Sequence, residues 1–154
     1  MMSKYEKVAW IMAFTDAVIV YYMSVRLFGM ITVEDGILTT TPGLLALAIK
    51  VILMASAAEI ACEMIRYPWR KDLKGEDEIV MDERDRAIRH KAAYFSLMVL
   101  TPLIFGLTGS LLFSKIATVG AIDTGLLWVG AIYVVSIAWA VRHCTEVFLY
   151  RRGY

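Results

Sequence analysis

Apolar residues gather in four long runs, roughly 8–30, 43–65, 92–113 and 124–147, separated by short polar stretches. Each run is close to the ~20 apolar residues that cover a ~30 Å hydrocarbon core. In that solvent every backbone N–H and C=O must find its partner within its own segment, so each run is predicted to be a helix. The pattern predicts an all-α fold, an integral membrane four-helix bundle, forming a single four-span transmembrane domain over 1–154. The first run is longer than the ~7–15 residues of a signal-peptide core and no Ala-x-Ala-like cleavage site follows it, so no cleavable leader is expected.

The connections refine this picture. The first, 31–42, is short and holds Glu34, Asp35 and the Thr39–Thr41 run. Pro42 and Gly43 suit the first turn of span two. Span two carries Ala55, Ser56, Ala57, Ala58, Ala61 and Cys62. Such small residues let helices approach closely in lipid, and span two is therefore expected to be the most central helix. Pro68 is expected to end it. In the connection 66–91, acids precede bases across Asp82-Glu83-Arg84-Asp85-Arg86-Ala87-Ile88-Arg89-His90-Lys91. That order complements a helix macrodipole, and Asp82–Arg86 and Asp85–Arg89 are i,i+4 pairs. Residues 82–90 are predicted to form a helix that continues into span three. Within span three, Gly106 and Ser110 form a small-xxx-small pair suited to helix contact.

Charge then orients the bundle. Thirteen of the sixteen Lys and Arg residues fall in the N-terminal segment, the 66–91 connection and the C-terminal end. The positive-inside rule puts both termini and that connection in the cytoplasm, with the chain multi-pass in the inner (cytoplasmic) membrane. The net charge of +1 and its segregation by topology give no basic face for nucleic acid. Hydrophobic residues reach 59%, above the ~45–50% of soluble domains. Cys62 and Cys144 both sit at cytoplasmic span ends, where a disulfide is not expected.

The stretch Asp82-Glu83-Arg84, Ile88, Lys91-Ala92 and Ser96 resembles a signature of an uncharacterised family of small prokaryotic four-span membrane proteins. Its pattern is Asp-Glu-Arg-x-x-x-Ile-x-x-Lys-Ala-x-x-x-Ser before the third span. The resemblance implies an architecture; it carries no catalytic residue onto this chain.

Ionisable groups within the spans are the candidate chemistry, because each is costly in hydrocarbon. At 1.5 Å per residue, Asp16 lies about 5 Å and Glu59 about 6–8 Å to the cytoplasmic side of the midplane, close enough to meet. Glu63 shares a face with Glu59 one turn on, and Arg142 and His143 reach a similar depth. These five define a polar pocket that is an interhelical brace, a proton or cation site, or a place of ligand or partner contact. Paired carboxylates would suit the latter, since neighbouring like charges raise one pKa. Arg26 and Lys50 are expected to snorkel outward.

No Gly-rich phosphate loop, nucleophile elbow, haem-attachment or zinc-protease spacing occurs. The expectation is a non-enzymatic protein without a cofactor or bound metal, although His143, Cys144, Glu146 or Cys62 could contribute to a weak metal site. The leading function is an interaction or accessory subunit. Its partner-docking loop would be Asp82, Glu83, Arg84, Arg86, Arg89 and Lys91, meeting a membrane or cytoplasmic protein, a second copy of the chain in a homo-oligomer, or membrane lipid. The alternative is a small proton- or cation-coupled transporter or channel working through the intramembrane carboxylates.

Overall fold

The structure, a computed structural model, describes residues 4–34, 37–40, 43–71, 83–116 and 124–153. At 4, 32–34, 37–40, 45, 63, 65–71, 111–116 and 124 it describes the backbone alone. Four helices make up nearly all of it: α1 (Lys4–Phe28), α2 (Leu44–Lys71), α3 (Glu83–Ile116) and α4 (Thr124–Arg151). Three of them carry stretches long and apolar enough to cross a membrane, Tyr5–Phe28 in α1, Glu83–Ser110 in α3 and Gly125–Arg151 in α4. α3 is unbroken from Glu83 through the expected third span and through Pro102, so the charged segment and the span are one helix; Asp82 lies outside the described residues.

The connection between α1 and α2 departs from a plain loop. It holds an antiparallel hairpin of β1 (Ile31–Glu34) and β2 (Ile37–Thr40), with Ile31 opposite Thr40 and Glu34 opposite Ile37. Both strands are rich in the β-branched residues that favour a pleated backbone. Gly43, with φ of 125°, precedes α2 instead of sitting in its first turn. That left-handed conformation is open to Gly because it has no Cβ. α2 also runs past Pro68 to Lys71. Proline removes one N–H···O bond and crowds the carbonyl four residues back; here that happens one turn from the end, and the helix completes the turn before stopping.

The central helix is α4, not α2. α4 packs extensively along both α1 and α3, whereas α2 packs less extensively on α1 and least on α4. The small residues of α4 are the ones used for close contact. A Cβ placed on Gly130 would lie 3.2 Å from Leu107 Cδ1, and Ser96 donates its hydroxyl to the carbonyl of buried Ala138 at 2.8 Å. By contrast, Ala55, Ser56, Ala57 and Ala61 of α2 are exposed. Gly106 and Ser110 are exposed as well, so the expected small-xxx-small contact is not made among the described residues. Small residues permit close approach but do not select which face is used, and the partner surface decides.

Two apolar clusters hold the helices. At the hairpin end Ile19, Met23 and Leu27 meet Leu44, Leu47, Ala48, Val51 and Val129. At the other end Ala9 and Ala13 meet Ile88, Val147, Leu149 and Tyr150. Large apolar side chains also point outward, Phe14 and Phe105 each being 72% exposed. Outward Phe on a water-facing surface would be an association hazard; on a lipid-facing one it is ordinary.

The start of α1, the start of α3 and the end of α4 are tied together at one end of the bundle. Arg151 Nε lies 3.2 Å from Glu6 Oε1. The Tyr150 hydroxyl donates to Asp85 Oδ1 at 2.8 Å. The Arg89 guanidinium lies 5.1 Å from the Tyr5 ring centre, and Arg151 lies 5.6 Å from that of Trp10. Three of the segments that hold most of the basic residues therefore meet.

Candidate functional site

One helical face of α4 builds the polar centre. Trp139, His143 and Glu146 recur at i, i+4 and i+7 and so line one side. His143 Nδ1 stands 2.6 Å from Oδ2 of Asp16 on α1, and both side chains are largely buried, 9% and 13% exposed. That contact is a short hydrogen bond between the imidazole and the carboxylate. The Trp139 ring lies 5.9 Å from the imidazole, tilted against it. One turn on, Arg142 Nε lies 3.4 Å from Glu146 Oε1. The alignment is poor, and the buried Nε–H has no hydrogen bond among the described residues.

Two cavities meet at this centre. The smaller, about 210 Å³, is polar and is lined by Glu59, Arg89, Arg142, His143 and Glu146 with Met12, Cys62 and Trp139. The larger, about 420 Å³, is an apolar cleft between α2 and α4 floored by α1. Met12, Glu59 and Trp139 line both. Asp16 faces the larger cavity and His143 the smaller, so their pair forms part of the wall between them.

The expected pocket residues are therefore partly assembled. Asp16, Arg142 and His143 come together around α4. Asp16 and Glu59 do not pair; Asp16 takes His143, and both carboxylates line the same cleft. Glu59 itself is exposed and makes no hydrogen bond or ion pair with any described residue. The side chain of Glu63 lies outside the described residues. Arg26, expected to snorkel, is exposed and lies 5.8 Å from the Tyr22 ring centre; Lys50 is exposed too.

The expected docking segment splits into two faces. Ile88 and Ala92 are fully buried, while Asp85 and Arg89 are half-buried and engaged with Tyr150 and Tyr5. Glu83, Arg84, Arg86, Ala87 and His90 are exposed. Lys91 is half-buried, and it and Arg84 have contacts of their own. Arg89 thus belongs to the polar cavity as well as to the segment.

Sequence reasoning gave Glu146 only a place in a weak metal site and gave Arg89 no place in the pocket. The spacing Arg142–Glu146 carries a signal for the first; nothing local marks the second. No three His, Cys, Asp or Glu side chains among the described residues are grouped to hold a metal ion. Cys62 instead packs with Val8 and Met12. Comparison with protein-family models, curated proteins and solved structures finds no match to this chain.

Proposed function

We propose that the chain is a four-span, multi-pass protein of the inner membrane, with both termini and residues 66–91 in the cytoplasm, acting as a non-enzymatic interaction or accessory subunit. α2 serves as the fourth span; its 28 residues reach about 42 Å at 1.5 Å each. The observation that carries the docking role is the two-faced start of α3. Its inner face is fixed on α1 and α4, and its outer face presents Glu83, Arg86 and His90. A helix already held in place loses little freedom when a partner binds. The mixed signs suit a protein surface, a second copy included, better than anionic lipid, which rewards uninterrupted basic charge. The resemblance to the small prokaryotic four-span family supports the same layout.

The test is charge reversal on the outer face alone, Glu83→Arg with Arg86→Glu. Arg89 is unsuitable, because it stacks on Tyr5 and lines the polar cavity. Purification in mild detergent, with crosslinking to count copies, should give a stable assembly for the unmodified chain and lose it in the variant at unchanged melting temperature. An assembly that survives the reversal refutes docking through this face.

The polar cavity that reaches Glu59 and His143 favours a second reading, proton- or cation-coupled transport. Flux in proteoliposomes that Glu59→Gln abolishes, with stability unchanged, would establish it. Absence of flux under every proton or cation gradient would remove it.

A further inference from the structure

We infer that the cleft between α2 and α4 is a binding site for an organic cation with an apolar body, its charge set against Glu59. The inference goes beyond the docking role and does not depend on it.

Size permits this. Small-molecule sites occupy roughly 300–1,000 Å³, and the cleft offers about 420 Å³. Its walls are Ile52, Ala55 and Ser56 on one side and Trp128, Val135 and Trp139 on the other. The small side chains of α2 leave the room, and the apolar side chains of α4 supply the contact surface. Of the two indole rings on that wall, Trp139 already carries the Arg142 guanidinium 6.0 Å from its centre; Trp128 is exposed, and a positive charge over an indole face is attracted to its quadrupole.

Charge decides the class of ligand. Of the two carboxylates in the cleft, Asp16 is already held by His143 at 2.6 Å. Glu59 has no partner among the described residues. Neither guanidinium of the adjoining polar cavity pairs with Glu59: Arg89 lies over Tyr5, and Arg142 lies over Trp139 at 6.0 Å with its Nε 3.4 Å from Glu146. A carboxylate beside apolar walls gains from a cationic partner. An inorganic cation is a poor fit, because a hard metal ion needs about six oxygen ligands, and the side chains lining the cleft bring oxygen only from Asp16, Glu59, Ser56 and Ser136. A fatty acid would bring a second negative charge to Glu59, and an acyl chain would make no use of it.

The probes are tetraphenylphosphonium and tetraphenylborate, ions of matched size and shape and opposite charge. Binding to the full chain in zwitterionic nanodiscs is measured by equilibrium dialysis, with empty nanodiscs subtracted. The phosphonium should bind saturably at one site per chain, and the borate should not. Glu59→Gln should weaken phosphonium binding about tenfold, the equivalent of one contact of about 1.4 kcal/mol. Ala55→Trp, which fills the cleft, should abolish it. Equal phosphonium affinity in the unmodified chain and in Glu59→Gln overturns the inference, as does saturable borate binding or no saturable phosphonium binding. Self-association lost in Ala55→Trp, without phosphonium binding to the unmodified chain, would assign the cleft to a second copy instead. If either variant alters the melting profile, the phosphonium-against-borate contrast on the unmodified protein decides alone.

Discussion

Replacing His143 by Ala strands the Asp16 carboxylate among apolar neighbours. Both side chains are largely buried, at 9% and 13% exposure, and only 2.6 Å separates them. Removing one partner from a buried charged pair costs about 3–5 kcal/mol. An ordinary interhelical hydrogen bond within a membrane is worth far less, about 0.6 kcal/mol on average. A double-mutant cycle separates the two cases. Asp16→Ala, His143→Ala and the double variant are unfolded with a denaturing detergent in mixed micelles, followed by fluorescence of the four tryptophans. If the pair is a charge-assisted brace, the coupling energy should be about 1.5–3 kcal/mol. The double variant should then be less damaged than the single effects summed, because it leaves no charge stranded. A coupling below about 0.5 kcal/mol, the scatter expected for independent sites, would refute the brace.

Three further outcomes follow from the same packing. Ile88→Ala removes a fully buried side chain at the junction of α1, α3 and α4 and should cost about 2–5 kcal/mol; amide exchange across the start of α3 should quicken, and unchanged exchange would contradict the packing. Tyr150→Phe deletes the hydroxyl that reaches Asp85 at 2.8 Å; a loss of about 1–3 kcal/mol is expected in detergent unfolding, and a neutral result would show that bond to be idle. Arg151→Gln breaks the contact with Glu6, but the arginine is 61% exposed, so the change should stay below about 1 kcal/mol.

The four helices were legible because a run of about twenty apolar residues has few other uses; three of them are long and apolar enough to cross a membrane. The long charged entry to α3 was legible too, since acid-first, base-last order with i,i+4 pairing is a local property of the segment. The hairpin departs from the expected plain loop, although Asp35-Gly36 between β-branched residues is a strong local hairpin signal. The centrality of α2 was misjudged because a small-residue stripe states only that a helix can be approached. Gly130 of α4, beside Leu107, took that role. Depth along the spans placed Asp16 near His143 and near Glu59 alike. Choosing between them requires the rotation of α2 and α4 about their axes, which no local pattern encodes. Arg89 joins the polar cavity for the same non-local reason.

Topology tests the central proposal, a four-span chain with its basic segments in the cytoplasm, most directly. Single cysteines at Thr40, the last residue of β2, and at Gly75, between α2 and α3, are introduced after Cys62 and Cys144 are changed to Ser. A membrane-impermeant maleimide is then applied to intact cells and to inverted vesicles. The account predicts labelling at position 40 from outside the cell only and at position 75 from the cytoplasmic face only. Labelling of position 75 from outside intact cells would contradict it.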